Sequence, residues 1–106
     1  MAAALPSSYK AVVAEGPGIS LKFIDVELEQ PEAGQVLVRV LTCGVCHSDV
    51  ALQQDYLGSH LLPRVPGHEI VGDVVAVGDG VTKFDVGDRV GGTWHGGKIN
   101  PSYDFT

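Results

Sequence analysis

Residues 35–49, QVLVRVLTCGVCHSD, join the most strongly patterned strand of the sequence to its densest group of reactive side chains. The first half is rich in β-branched residues, which favour an extended backbone. The second half holds two cysteines, a histidine, a serine and an aspartate. Because Ser48 or Asp49 is suited to cap a helix, we predict a short helix over residues 48–54. The stretch thus predicts a strand that delivers metal-binding and proton-transferring groups to the start of a helix.

The rest of the sequence is organised as short strands separated by turns. Alternating or β-branched runs predict strands at residues 10–14, 23–28, 35–41, 70–77 and 88–90. A length of 106 residues with 44% hydrophobic composition suits one domain with one core. Strands spaced in this way are typical of an all-β barrel or sandwich. We therefore predict a mainly β fold with one short helix, in a single domain over residues 1–106.

Charge and composition exclude several classes of partner. Lys and Arg number 7 against 13 Asp and Glu, a formal charge of −6, so no basic stripe is available to neutralise a phosphate backbone. No apolar run is long enough to cross a bilayer, and the first residues lack the features of a signal peptide. Without such a signal, Cys43 and Cys46 are interpreted as thiols in a reducing compartment. We expect a cytoplasmic protein that binds neither nucleic acid nor membrane.

A second chemical group, Pro66-Gly67-His68-Glu69, directly precedes the strand predicted at 70–77. Thiolate, imidazole and carboxylate are the ligand types that zinc selects, and catalytic zinc sites use three protein ligands with one position left open. Each motif alone is weak evidence. A Cys-x-x-Cys is more often a redox pair or half of a structural zinc site, and a Gly-His-Glu is more often a polar turn. Only their combination carries an argument.

The combination resembles a known family in both order and spacing. GVCHSD at 44–49 is followed by PGHE at 66–69, VGDGV at 77–81 and VGDRV at 86–90. This series resembles the amino-terminal, GroES-like catalytic domain of zinc-dependent medium-chain alcohol dehydrogenases, from about residue 10 to residue 97. The resemblance implies a GroES-like, partly open Greek-key β-barrel. It also implies NAD(P)-linked interconversion of alcohols and aldehydes.

The resemblance assigns the metal ligands residue by residue. Cys46 and His68 correspond to two of the three protein ligands of the catalytic zinc. Glu69 corresponds to the adjacent carboxylate that can approach the metal. Zinc as a Lewis acid beside a positioned hydroxyl is the logic of alcohol activation.

Four further positions take roles from the same resemblance. Ser48 corresponds to the hydroxyl that accepts the proton of the alcohol substrate, and Asp49 to the partner of the ligand histidine. His47 occupies the position that contacts the pyrophosphate of the coenzyme. Trp94 stands where family members carry a bulky residue that lines the substrate pocket.

The sequence also departs from the family pattern. Ala51 replaces the histidine that completes the proton path in many members, and residues 98–106 bear no resemblance to the family. The cysteine that serves as third zinc ligand, the structural-zinc lobe and the Gly-x-Gly-x-x-Gly turn of a dinucleotide-binding domain are missing from the sequence. We therefore expect a truncated family member that does not bind NAD(P) by itself.

Zinc binding is expected to be weak, with Glu69 or Cys43 in place of the missing cysteine. The alternative is an empty site in which Cys46 and His68 are packing residues. Two functions follow. The chain either takes the function of the parent family, on a small alcohol, aldehyde or other carbonyl compound, or is a stand-alone barrel repurposed for non-redox chemistry or small-molecule binding. A non-catalytic binding partner is a third hypothesis, so whether the isolated chain is an enzyme stays open.

Assembly is the last expectation from the sequence. A barrel that lacks the family's later strands should leave an unpaired strand edge and an uncovered apolar surface. Either a homodimer forms through that edge, or residues 98–106 fold back on the barrel of a monomer. We favour the homodimer, because so short a segment is a poor replacement for several strands.

Overall fold

The computed structural model describes residues 4–54, 62–93, 98–100 and 103–104. One helix and seven strands lie in these ranges. In chain order they are β1 (Ser8–Val13), β2 (Lys22–Glu27), β3 (Val36–Gly44), α1 (His47–Gln53), β4 (Glu69–Val77), β5 (Arg89–Gly92), β6 (Lys98–Asn100) and β7 (Tyr103–Asp104).

The mainly β fold with one short helix is confirmed. The described strands form three antiparallel sheets, β1–β2, β3–β4–β5 and β6–β7, and these sheets are open. Among the described residues no set of strands closes into a complete barrel. The strands predicted before residue 98 are all present, while β6 and β7 lie where no strand was predicted.

The helix begins one residue earlier than predicted, and its cap is a different residue. Cys46, in an extended conformation, is the N-cap, rather than Ser48 or Asp49. Asp49 instead lies in the first turn, where its Oδ2 accepts a hydrogen bond of 3.0 Å from the backbone N–H of Cys46. A carboxylate at this position satisfies a backbone donor that the helix itself leaves without a partner.

Within the described part of the chain, no helix has the length and apolar character that crossing a bilayer requires.

The core is small and lies mainly between the first two strands and the segment before β4. Val13 and Val74 are the largest fully buried side chains. Ala11 and Val26, on facing strands, form a buried cluster with Val65. Because successive side chains of a strand point to opposite faces, Phe23 on β2 points away from this cluster and is 76% exposed.

Backbone hydrogen bonds tie the segment after β1 to the end of the helix and to the segment that leads to β4. Ala14 and Arg64 exchange two bonds, of 2.8 and 2.9 Å, which fix the segment leading to β4. Gly18 donates a 2.8 Å bond to the carbonyl of Gln53 at the end of α1. The side-chain amide of Gln53 in turn donates to the carbonyl of Ile19 at 2.6 Å. The helix is therefore held at its far end as well as at its capped start.

The longest strand pairing aligns the two chemical groups. β3 and β4 run antiparallel with Cys43 opposite Ile70 and Gly44 opposite Glu69, and the register shifts near Leu37 and again before Thr42. Because β4 begins where β3 ends, residues just after β3 and just before β4 meet at one end of the sheet.

A polar cluster covers the exposed face of this sheet. Asp73 on β4 accepts a 2.8 Å bond from Nε of Arg89 on β5, and Arg39 on β3 lies 3.8 Å away. The hydrogen bond from Arg89, reinforced by the charges of Arg89 and Arg39, lowers the pKa of Asp73 below its ordinary value of 3.8. Both arginines are exposed, so solvent screens the pairs and their effect on stability is small.

This cluster predicts a pH-dependent contribution to stability. A carboxyl group with a lowered folded-state pKa stabilises the fold above its unfolded value of 3.8, and the contribution is lost as pH falls through the folded-state pKa. We expect Asp73→Asn to lower the melting temperature slightly at neutral pH and to have no effect in strong acid. Asp79→Asn, at an exposed turn carboxylate, is the control. Equal effects of the two variants at every pH would contradict the prediction.

Candidate metal centre

Three side chains of different chemistry meet at the end of the β3–β4 pair. A ligand atom from each of Cys46, His68 and Glu69 lies within 4.8 Å of the other two. Ligands held at about 2.0–2.3 Å from a tetrahedral zinc are separated by roughly 3.3–3.8 Å. Small side-chain rotations would therefore bring this group to the spacing that zinc requires. One thiolate, one imidazole and one carboxylate also match the ligand types that zinc accepts.

Each ligand comes from a different local structure. Cys46 is the N-cap of α1, and Glu69 is the first residue of β4. The His68 side chain is only 10% exposed, while that of Glu69 is 48% exposed. Nε2 of His68 and Oε2 of Glu69 are 3.9 Å apart. The site therefore has a protein-covered side at the imidazole and a solvent-facing side at the carboxylate.

Asp49 connects two members of this group. Its Oδ2 accepts the N–H of Cys46 at 3.0 Å, and its Oδ1 lies 3.5 Å from Nδ1 of His68. A carboxylate facing Nδ1 favours the tautomer with the proton on that nitrogen and leaves Nε2 free to bind a metal. One carboxylate thus fixes both the cap of the helix and the orientation of the imidazole.

Ser48 lies on the sulfur side of the group. Its Oγ donates a hydrogen bond of 3.1 Å to Sγ of Cys46, and both residues are half-buried. A hydroxyl group can donate one proton and accept another. At this position it lies next to the space that a metal bound to Cys46 would share with its substrate.

The structure does not join His47 to this group. His47, the first residue of α1, is exposed, and no hydrogen bond or ion pair in the described ranges joins it to the three ligand residues. Trp94, expected to line the substrate pocket, lies outside the described residues.

Cys43 is not part of the group, although it was considered as a substitute ligand. Among the described residues, the metal-competent group contains Cys46, His68 and Glu69 alone. The sulfur of Cys43 instead packs against Gly67, where an added Cβ would lie 2.8 Å from it. Gly67 has φ +121°, a conformation that strongly favours glycine. The sequence contained Gly67 within the PGHE motif but gave no sign that this turn aims His68 into the site.

Comparisons with known proteins identify the family of this chain. A family model described as "Alcohol dehydrogenase GroES-like domain" matches residues 32–103. An alcohol dehydrogenase, patD, of Aspergillus clavatus is 48% identical over 97 residues, which cover 92% of this chain and 25% of that protein. An aldehyde reductase, AdhA, of Synechocystis is 49% identical over 65 residues, 61% of this chain and 19% of that protein.

Solved structures of similar sequence share the fold. An alcohol dehydrogenase, rspB, from Escherichia coli, complexed with NADH, has a TM-score of 0.72 and 38% identity over 81% of this chain and 24% of its own. A Helicobacter pylori protein described as CAD, complexed with NADP(H), has a TM-score of 0.75 and 31% identity over 85% of this chain and 26% of its own.

These matches show the family of the chain and how much of its relatives' length the chain covers. The chain spans about a quarter of the length of the curated relatives it matches. The family match covers the β3–β4 pair, the helix and every ligand of the candidate metal centre. The chain belongs to the alcohol dehydrogenase GroES-like domain family.

Proposed function

We propose that this chain is the catalytic domain of a zinc-dependent alcohol and aldehyde oxidoreductase, with Cys46, His68 and Glu69 as the zinc ligands. The observation that carries the proposal is the approach of these three ligand atoms to within 4.8 Å of one another. The names of the relatives support it, since they include alcohol dehydrogenases and an aldehyde reductase. The substrate class is therefore a small alcohol, aldehyde or related carbonyl compound.

The chain's own side chains have distinct tasks in this proposal. Zinc would supply a Lewis acid that polarises the substrate oxygen. Ser48 takes the proton of the alcohol at Oγ, beside the sulfur of Cys46, and passes its own proton outward. Asp49 holds the imidazole of His68 in place through Nδ1. Ala51 offers no group to continue a proton path, so the proton leaves Ser48 toward solvent.

Two roles in the proposal rest on family resemblance. His47, exposed at the first position of α1, is suited to contact the pyrophosphate of an NAD(P) coenzyme. Trp94 supplies a wall of the substrate pocket. The related structures with NADH and NADP(H) support a nicotinamide as the hydride acceptor. Residues 1–106 contain no Gly-x-Gly-x-x-Gly turn, so we propose that these residues alone do not transfer hydride.

The metal ligands are tested by zinc binding to matched cysteine variants. We expect the chain to bind zinc weakly and to lose it on dialysis, because the third ligand is an exposed carboxylate in place of the family's cysteine. Cys46→Ser should abolish binding, and Cys43→Ser should leave it unchanged. A colorimetric chelator titration measures both. Equal losses in the two variants would contradict the proposed ligand set. Zinc that survives dialysis in stoichiometric amount would contradict weak binding and show that the remaining ligands hold the metal more tightly than proposed.

The activity is tested in a chimera. Residues 1–92 replace the matching segment of the Aspergillus clavatus alcohol dehydrogenase, and reduction of nicotinamide coenzyme by a set of alcohols is measured. We expect the chimera to be active and the isolated chain to be inactive. Ser48→Ala should lower kcat by roughly 100-fold, while Ser48→Thr, which keeps the hydroxyl, should lower it far less.

Two results would argue against this function. A folded, zinc-loaded chimera without activity would favour the alternative of a barrel repurposed for non-redox chemistry or small-molecule binding. Steady coenzyme reduction by the isolated chain would show that residues 1–106 are catalytic by themselves.

We further propose that the isolated chain forms a homodimer through the outer edge of β3. This strand is an edge of its sheet among the described residues, and Val40 and Leu41 on it are 54% and 49% exposed. β6 and β7 pair with each other and with no other described strand, so neither covers this edge by strand pairing. Long apolar edge strands recruit another chain.

Light scattering tests this assembly. We expect a dimer that persists after deletion of residues 98–106. Val40→Lys should dissociate it, because a lysine on an edge strand opposes pairing. Val86→Lys, at a loop residue 53% exposed, should leave it intact. The proposal fails if the wild-type chain is a monomer at high concentration and the deletion is an equally stable monomer.

A further inference from the structure

The space beside Glu69 exists because residue 44 has no side chain. Gly44, the last residue of β3, lies directly opposite Glu69 across the β3–β4 ladder. A Cβ added to Gly44 would lie 2.7 Å from Oε1 of Glu69, 3.2 Å from its Cδ and 3.1 Å from its Cβ. Real Cβ atoms do not approach an oxygen to 2.7 Å. The carboxylate therefore occupies the volume that any other residue at position 44 would fill.

The backbone does not explain this glycine. Gly44 is absent from the glycines with positive φ, which are Gly18, Gly34, Gly67, Gly80 and Gly87. An L-residue could therefore adopt its conformation without strain. Glycine also weakens a strand, since it adds chain entropy and packs no side chain. The structural role that remains for Gly44 is the space it leaves for its neighbour.

We infer that Gly44 is a positioning residue for the metal centre: by leaving a slot beside β3, it seats the Glu69 carboxylate within reach of Cys46 and His68. This inference rests on the proposed function, because it assumes that Glu69 is a metal ligand. It concerns how the ligand is held rather than which metal is bound.

Glu69 needs such a restraint more than the other two ligands do. Its side chain is 48% exposed, whereas that of His68 is 10% exposed and is held by Asp49. An exposed glutamate populates several rotamers, and restricting it to one of them costs side-chain entropy. A slot that matches one rotamer makes the metal-facing conformation more populated before the metal arrives.

The effect of adding a methyl group at position 44 depends on which neighbouring atoms can move. The closest atom to an added methyl group is Oε1, at the far end of a flexible side chain, rather than backbone. Gly44→Ala is therefore relieved most cheaply by swinging the carboxylate away from β3. The remaining 3.1 Å approach to Cβ of Glu69 requires a shift of a few tenths of an ångström between the paired strands, and the metal ligand is displaced. Gly91 on β5 is a matched control, because an added Cβ there meets only the carbonyl of Ile70 at an ordinary 3.7 Å.

Cobalt binding tests the inference without any need for activity. Co²⁺ alone is titrated into the full chain, and the thiolate-to-cobalt absorption and the ligand-field bands are recorded for wild type, Gly44→Ala, Gly91→Ala, Glu69→Gln and the double variant Gly44→Ala/Glu69→Gln. We expect Gly44→Ala to weaken Co²⁺ binding by roughly 10- to 100-fold, the range usual for residues that orient a ligand. Gly91→Ala should bind as wild type does.

The double variant separates positioning from general destabilisation. If Gly44 acts through Glu69, the double variant binds no more weakly than Glu69→Gln alone, and Gly44→Ala shows the same ligand-field bands as Glu69→Gln. Circular dichroism and melting temperature confirm that each variant is folded at the temperature of titration. Additive losses, or wild-type affinity in Gly44→Ala, would overturn the role of Gly44. A wild-type chain that gives no thiolate–cobalt band overturns the metal centre, and with it this inference.

Discussion

The antiparallel pairing of β3 with β4 is the constraint on which the site depends. Its hydrogen bonds fix Gly44 opposite Glu69, so the segment that follows β3 and the segment that precedes β4 emerge side by side. Cys46 and His68 lie in those two segments and Glu69 begins β4, so Cys46 is separated from the other two by a stretch of sequence too long for local structure to join them. Every geometric relation in the site, from Cys46 to His68 and from Gly44 to Glu69, follows from this register. A slip of one residue would turn Glu69 to the opposite face of the sheet.

Local interactions then orient the side chains that the β3–β4 pairing brings together. Asp49 accepts the N–H of the N-cap residue Cys46 and faces His68, Ser48 donates to Cys46, and Gly67 turns the chain into β4. None of these contacts is strong alone, and several are partly exposed to water. Their combined effect is geometric, because each removes one alternative orientation from a ligand or its neighbour.

The sequence predicted the strands and the candidate ligand residues better than it predicted which of these residues contact one another. Alternation and β-branched runs located β1 to β5 because period-two burial is a local property. The family resemblance, now confirmed, named Cys46, His68 and Glu69. The sequence could not decide between Glu69 and Cys43 as the substitute for the missing cysteine, since that choice depends on which side chain lies near Cys46 and His68 and which packs on Gly67. The cap was placed at Ser48 or Asp49 because cysteine is a poor N-cap, whereas the structure lets Asp49 act from inside the first turn. The slot at Gly44 was invisible, because it appears only when the strand opposite is known.

The shared use of Asp49 has a consequence for how the site opens. The backbone N–H of Cys46 donates a hydrogen bond to the carboxylate of Asp49, and the same carboxylate faces the imidazole of His68. That proton can exchange with solvent only when the carboxylate moves away, and the imidazole then loses its neighbour in the same event. Fraying of the first helical turn and loosening of a metal ligand are therefore one motion of the molecule. The exchange rate of the Cys46 amide therefore reports how often Asp49 moves away from both Cys46 and His68.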